Sequence, residues 1–153
     1  RVGNGCYLMA YSHVAHDCRF GDSVVLVNMA QLSGHVVVED GAFISALVGI
    51  HQFVRLGELC LAGGVSAVRK DILPYTIVEG HNPRVRGLNL TGLRRRGVTS
   101  AARGALKQAL KCLLDEGLRT EETVRRIREE HGGVPEVNHL ADFVEKSKRG
   151  FYR

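Results

Sequence analysis

Apolar residues recur at every sixth position through the first half of this chain. Counted from Val2, twelve successive positions are apolar: Val2, Leu8, Val14, Phe20, Leu26, Leu32, Val38, Ile44, Ile50, Leu56, Ala62 and Val68. The positions four residues later, from Cys6 to Ile72, hold almost only small or β-branched residues. An α-helix repeats about every 3.6 residues, whereas a coil of short strands with a corner in each repeat can have a period of six. Residues 1–73 are therefore predicted to form a coil of parallel β-strands.

Three of the four cysteines fall among the small residues of the second register: Cys6, Cys18 and Cys60. They are expected to be buried there as compact apolar side chains. Together with Cys112 they form no CxxC pair, so the sequence indicates neither a disulfide framework nor a zinc knuckle. A reducing cytoplasm is the expected setting.

The remainder of the chain divides into two segments. Residues 74–98 are predicted to be an irregular basic loop segment, because they contain four residues that interrupt regular structure: Pro74, Gly80, Pro83 and Gly87. Residues 99–153 show helical spacing of apolar residues and are predicted to be a C-terminal helical domain. Three helices are expected there, and they open at Ser100 as cap, at Thr120 and at Pro135.

Positive charge is concentrated in residues 69–97. This segment holds seven basic and two acidic side chains, so its net charge of +5 equals that of the whole chain. It is expected to bind an anionic partner: a phosphate, a nucleic acid or an acidic protein. The chain has no run of about 18 apolar residues and no signal peptide, so no membrane span is predicted. Because it begins with Arg1 and enters the repeat directly, we expect an N-terminal portion to precede it.

The repeat resembles that of the hexapeptide-repeat acyltransferases, whose fold is a left-handed parallel β-helix. The resemblance implies that three repeats close one triangular turn, so that twelve repeats make four turns. It also implies a homotrimer that buries the flat faces of the prism. The left hand comes from the resemblance alone, since parallel β crossovers are usually right-handed. We therefore expect a mainly β chain, with a left-handed parallel β-helix followed by α-helices.

Four of the seven histidines lie in the predicted coil: His13, His16, His35 and His51. With three repeats to a turn, all four fall on one edge of the prism. Turns about 4.8 Å apart would let them share one site. None occupies an inward register, so none is expected in the core; the alternative is a set of unrelated surface histidines.

His16 has the local sequence best suited to catalysis. Asp17 adjoins it and could orient the imidazole or favour its protonated form. One turn further on is Gly34, which would leave space and an open backbone amide beside the ring. A histidine base next to such an amide suits acyl transfer, because the base takes a proton from a hydroxyl while the amide stabilises the oxyanion.

Several motifs, in this order, carry a more specific resemblance: HVAHDC at 13–18, LSGHV at 32–36, HQF at 51–53, GLNLTGLRRRG at 87–97 and SKRG at 147–150. Together they resemble the UDP-N-acetylglucosamine O-acyltransferases of lipid A biosynthesis, and the resemblance covers the whole chain. Arg94 replaces the lysine of the family motif. The segment around His81 is shifted relative to the family, so His81 is given no role.

The resemblance implies the roles of the site residues. His16 would be the general base, Asp17 its partner and Gly34 the source of the oxyanion amide. Substrate-binding roles are implied for His13, His35, His51, Gln52, Gly64, Asn89, Arg95 and Arg96. No metal and no cofactor are implied.

The implied reaction transfers a 3-hydroxyacyl chain from acyl carrier protein to the 3-hydroxyl of UDP-N-acetylglucosamine, the first step of lipid A biosynthesis. Asn89 and Arg96 would contact the nucleotide, and Arg95 the carrier protein or its phosphopantetheine, since a guanidinium binds phosphate well. Gly64 would leave the acyl groove open for longer chains. No nucleic-acid partner is expected. For the arginines, the competing interpretation is a solvated basic turn.

Three other functions remain open from the sequence. A zinc carbonic anhydrase of the same fold would also gather histidines, around a metal ion. The N-acyltransferase of the same pathway would acylate an amine in place of a hydroxyl. A purely structural β-helix would give the histidines no role. The arginine-rich segment and the helical tail argue against the carbonic anhydrase, and the sequence context of His16, Asp17 and Cys18 argues against the N-acyltransferase.

Overall fold

The computed structural model describes residues 1–115, 117 and 119–153. The first half is a coil of eleven two-residue strands: β1 Tyr7–Leu8, β2 His13–Val14, β3 Arg19–Phe20, β4 Val25–Leu26, β5 Gln31–Leu32, β6 Val37–Val38, β7 Phe43–Ile44, β8 Gly49–Ile50, β9 Arg55–Leu56, β10 Leu61–Ala62 and β11 Ala67–Val68. Each of the strands β1 to β8 lies parallel to the strand 18 residues further on, as Tyr7 does to Val25. The chain is therefore a parallel β-solenoid of about four turns.

Three sheets form the walls of the solenoid. Strands β1, β4, β7 and β10 lie in the first sheet, β2, β5, β8 and β11 in the second, and β3, β6 and β9 in the third. Both predicted inward registers are buried from Cys18 onward. Val2 and Leu8 are about half exposed because they lie in the first turn, where no earlier turn covers them.

Each corner between sheets contains a residue with left-handed backbone. At eleven positions spaced six apart, from Gly5 to Val65, φ lies between 51° and 64°. Only two of these residues are glycine, although this conformation costs other residues roughly 1–2 kcal/mol. Hydrogen bonds from the corner amides to the preceding turn offset that cost; His35 N, for example, donates to His16 O at 3.0 Å.

The segment 74–98 is not the irregular loop that the sequence predicted. It contains an antiparallel hairpin, β12 Thr76–Glu79 and β13 Arg84–Leu88, followed by a short helix α1, Leu90–Arg95. Gly80 and Pro83 lie in the hairpin turn, where Gly80 has a φ of 108°. The glycine and proline thus end strands without abolishing them, because the strands on either side pair with each other, with Val78 opposite Val85.

Three longer helices follow: α2 Ser100–Leu114, α3 Thr120–His131 and α4 Pro135–Glu145. Their starts agree with the prediction, but the cap of α2 is Thr99, whose side chain accepts from Ala102 N at 3.1 Å, and not Ser100. Leucines of α2 and α4 pack with Leu73, Tyr75 and Leu93 in a second core. Within the described part of the chain, no helix combines the length and apolarity needed to cross a bilayer.

Candidate active site

His16 and Asp17 lie at the corner between the second and third sheets. We call the column of residues 16–17, 34–35 and 52–53 the histidine corner. His16 Nδ1 and Asp17 Oδ2 are 2.9 Å apart, within hydrogen-bond distance. A bond at Nδ1 leaves the lone pair of Nε2 free to act as a base.

Gly34 lies directly beneath the His16 ring, one turn further along. A Cβ on Gly34 would lie 2.6 Å from His16 Cε1 and 2.7 Å from Nε2, so a glycine is needed for the ring to rest there. Among the described residues, the Gly34 N–H has no hydrogen-bond acceptor. The structure thus places residue 34 beside the ring, as the count along the coil predicted, while the roles of base and oxyanion donor stay predictions.

His35 and Phe53 continue the histidine corner. The His35 ring meets the His16 ring edge to face, with centroids 5.0 Å apart, and stacks on Phe53 at 4.8 Å. His35 Nε2 is 3.8 Å from Asp17 Oδ2. Phe53 was missed by sequence reasoning, although it adjoins Gln52 in the HQF motif; its ring fixes the orientation of His35.

The two imidazoles act on Asp17. The hydrogen bond with His16, followed by the charge of His35, holds the pKa of the Asp17 carboxyl below its ordinary value. Asp17 therefore remains ionised at neutral pH, where it can orient the His16 imidazole and stabilise an imidazolium. All three side chains are exposed in the isolated chain.

His51, Gln52 and His13 flank this centre. Gln52 lies at the histidine corner one turn beyond Gly34, and His51 precedes it in the same turn. His13 is on β2, at the edge of the second sheet, where it pairs with Gln31. All three side chains are exposed.

A residue near the end of the chain also reaches this edge. Arg149 Nη2 donates to His51 Nδ1 at 3.3 Å, across 98 positions of sequence. The sequence contained only an indirect signal, the SKRG motif, and that motif had been given no role in the site.

Three predicted site residues lie at other corners of the solenoid or on α1: Gly64, Arg95 and Arg96. Gly64 is at the corner between the first and second sheets, where an added Cβ would lie 3.4 Å from Ala46 O. Arg96 lies at the third corner, with its guanidinium against Gly41, and Arg95 is exposed on α1. A single chain therefore does not bring these residues to His16.

Asn89 has a structural function in this chain. Its side chain is 8% exposed, accepts from Gly92 N as the cap of α1 and donates to Leu59 O at 2.9 Å. Both ends of the amide are thus occupied within the fold. Contact with a nucleotide remains a prediction.

One group of described residues could offer ligand atoms to a metal: His16, Asp17 and His35, within 4.8 Å of one another. It contains two imidazoles and one carboxylate. A carbonic anhydrase of this fold would need three imidazoles around zinc, and here His13 and His51 lie outside the group. Within a single chain, the donor set therefore falls one imidazole short of that site.

The fold is a parallel β-solenoid followed by helices, with a histidine–carboxylate pair at one corner. This combination is typical of solenoid acyltransferases. A family described as UDP N-acetylglucosamine O-acyltransferase, domain 2, matches residues 71–152. The chain belongs to this family.

Relatives match along the full chain. Those from Alkalilimnicola ehrlichii and Burkholderia orbicola are 39% and 42% identical over 100% and 99% of this chain, and are named acyl-[acyl-carrier-protein]–UDP-N-acetylglucosamine O-acyltransferase. The chain spans 59% and 60% of their lengths.

Solved structures agree with these relatives. The UDP-N-acetylglucosamine O-acyltransferase of Moraxella catarrhalis superposes with a TM-score of 0.95 at 33% identity, over 100% of this chain and 60% of that one. The UDP-N-acetylglucosamine acyltransferase of Campylobacter jejuni superposes with a TM-score of 0.91 at 37% identity, over 98% of this chain and 59% of that one.

Proposed function

We propose that this protein transfers a 3-hydroxyacyl chain from acyl carrier protein to the 3-hydroxyl of UDP-N-acetylglucosamine. The observation that carries the proposal is the His16 imidazole, hydrogen-bonded to Asp17 and resting on Gly34. The names of the relatives supply the substrates.

His16 Nε2 takes the proton of the sugar 3-hydroxyl as its oxygen attacks the thioester carbonyl. The Gly34 N–H donates to the oxyanion of the tetrahedral intermediate, and the Asp17 carboxylate stabilises the imidazolium. When the intermediate collapses, the C–S bond breaks and His16 returns its proton to the departing thiolate. The ester and the free thiol of the carrier are the products, and no metal takes part.

We propose a homotrimer with the site between subunits. The predicted site residues lie on three different edges of one prism, so a shared site needs a second copy. A ladder of exposed apolar side chains also follows the Gly64 corner: Tyr11, Met29, Leu47 and Val65. Such a ladder is suited to burial against another subunit.

Three further features belong to the same proposal. The solenoid is left-handed and built of hexapeptide repeats, as the resemblance implies. The chain is divided into three functional parts: the β-helix at 1–73, a basic segment at 74–98 and a helical domain at 99–153. The protein works in the cytoplasm, which agrees with the four cysteine side chains being free thiols.

The test is turnover of UDP-N-acetylglucosamine with 3-hydroxyacyl carrier proteins, followed by the appearance of free carrier thiol. An acceptor with a free amine at the acylated position distinguishes the N-acyltransferase. Acylation of the amine but not of the hydroxyl would contradict the proposal. Sedimentation of the active protein tests the trimer, and a stable active monomer would exclude it.

A further inference from the structure

The C-terminal tail, residues 147–153, is fixed to the last turn of the solenoid. Ser147 Oγ donates to Asp71 Oδ2 at 2.8 Å, and Asp71 N donates to Gly150 O at 2.9 Å. The Tyr152 hydroxyl accepts from Arg69 N at 2.7 Å. These bonds hold the tail on both sides of Arg149, so the fold fixes the backbone from which that side chain extends.

Arg149 is directed along the edge that contains His51. Its Nε donates to Arg69 O at 3.2 Å and its Nη2 to His51 Nδ1 at 3.3 Å. If Nδ1 of His51 accepts from Arg149, the imidazole proton is on Nε2. Gln52 O also lies 3.3 Å from His51 Nδ1 and would accept a hydrogen bond from it, so Arg149 and Gln52 O favour opposite tautomers of the ring.

Positive charge at this end of the edge is not neutralised. Arg69 lies one turn below His51, Lys70 follows it, and among the described residues no carboxylate lies within 4.0 Å of any of the three cations, counting Arg149. The nearby Asp71 is buried, and its two oxygens accept from Arg55 N and from Ser147. An anionic ligand would satisfy these donors better than water does.

We propose that Arg149, with His51, binds a phosphate group of the substrates. This rests on the proposed function. His51 lies about two turns, or roughly 10 Å, from the level of His16 along the coil axis. Each substrate contains phosphate: the sugar nucleotide has a diphosphate, and the carrier has the phosphodiester of its phosphopantetheine. The tail thus contributes a positioning residue to the active site.

The test compares Arg149→Ala with the control Lys148→Ala, which removes the same charge from the same tail without a contact to His51. Loss of a charged hydrogen bond predicts a ten- to hundredfold rise in KM for one substrate, with kcat within about threefold. Lys148→Ala should leave both KM values unchanged. The protein is expressed at the full length that its gene encodes.

The two phosphate sources give different results. If KM rises only for UDP-N-acetylglucosamine, Arg149 binds the diphosphate of the nucleotide. A rise confined to acyl carrier protein assigns phosphopantetheine, and acyl-pantetheine without its phosphate should then be used equally well by wild type and variant. Arg149→Gln, which retains a donor to Arg69 O, repeats the measurement should the alanine variant be unstable.

Two readouts separate this proposal from a structural role and from the proposed function. If Arg149→Ala only loosened the tail, the melting temperature would fall and KM would rise equally for both substrates, and that result would overturn the proposal. KM values equal to those of Lys148→Ala would also overturn it. Calorimetric binding of UDP and of phosphopantetheine provides a test without turnover. If wild type is inactive yet binds one of them at least tenfold more tightly than Arg149→Ala does, only the proposed function fails; if it binds neither, this proposal fails.

Discussion

The imidazole of His16 rests on the backbone of Gly34, which lies one turn further along the solenoid. A Cβ on residue 34 would overlap the ring at Cε1 and Nε2, at 2.6 and 2.7 Å. The same contact therefore positions the two groups proposed as base and oxyanion donor.

Gly34→Ala should displace His16 and lower turnover by about a hundredfold, the effect expected of a misplacement of about 1 Å. Gly34 does not have a left-handed backbone, so alanine should not strain the chain itself. The control is Gly104→Ala, where a Cβ meets nothing within 4 Å. Steady-state kinetics measure the loss of turnover, and melting temperatures show whether the fold is intact. A fully active Gly34→Ala would show that the contact is dispensable.

Arg95→Ala and Arg96→Ala should raise KM for the carrier protein and for the nucleotide, respectively. Both side chains are exposed, and a lost charged hydrogen bond typically costs about 1.5–3 kcal/mol, or roughly ten- to hundredfold in affinity. Arg94→Ala, on the same short helix, is the matched control. If both variants bind both substrates like wild type, the segment is only a solvated basic turn.

Gly64→Met should shift the preference towards shorter 3-hydroxyacyl chains. The corner has room for a side chain, because a Cβ would lie 3.4 Å from Ala46 O and 4.0 Å from Ser45 Cβ, both ordinary contacts. The fold should therefore survive while the groove is blocked. Rates with a series of acyl carrier proteins test this, and an unchanged profile would count against a role for Gly64 in the groove.

The contact between α4 and the third sheet should depend on pH. His139 Nε2 lies 2.8 Å from Glu39 Oε2 and 4.0 Å from Glu58, and the hydrogen bond to Glu39 raises the pKa of the imidazole. Arg55, which also pairs with Glu39 at 3.6 Å, competes for that carboxylate. Since the folded pKa is the higher one, the stabilisation is complete below the unfolded pKa of about 6.5 and is lost as pH rises through the folded value.

His139→Gln should therefore reduce the free energy of unfolding most below about pH 6, and progressively less above it. The difference should stay under about 1 kcal/mol, because the pair is partly exposed to solvent. Urea unfolding of both proteins across this pH range measures it. A difference that does not vary with pH would show that the ion pair does not stabilise the fold.

The solenoid could be predicted in detail because its core contacts repeat along the chain. A period of six places Leu26 and Ala30 inside whatever the rest of the chain does, and both are fully buried. The hairpin at 76–88 was missed because Gly80 and Pro83 indicate interruption equally well in a loop and in a turn. Whether such residues lie in a loop or in a hairpin turn depends on which strands pair, and the pattern of a single sequence does not show that pairing.

The candidate site was predictable only where it follows the repeat. The positions of His16 and Gly34 follow from counting along the coil. The contact between Arg149 and His51 depends on how the helices return the tail to the solenoid, so no spacing rule contains it. Asn89 shows what a motif leaves out: its side chain caps α1, which the sequence motif did not indicate.

The measurement that tests the account most directly is the turnover of His16→Ala. The thioester is already activated, so the demanding step is removal of a proton from the sugar hydroxyl. A neutral imidazole with a reference pKa near 6.5 is suited to that task. Loss of a general base typically costs about 10²–10⁴ in rate. We predict at least a hundredfold loss in kcat for His16→Ala, with nucleotide binding and oligomeric state intact, smaller losses for His35→Ala and His51→Ala, and no effect of chelators on wild type. Near-normal turnover of His16→Ala, or abolition of wild-type activity by a chelator, would contradict the proposed mechanism.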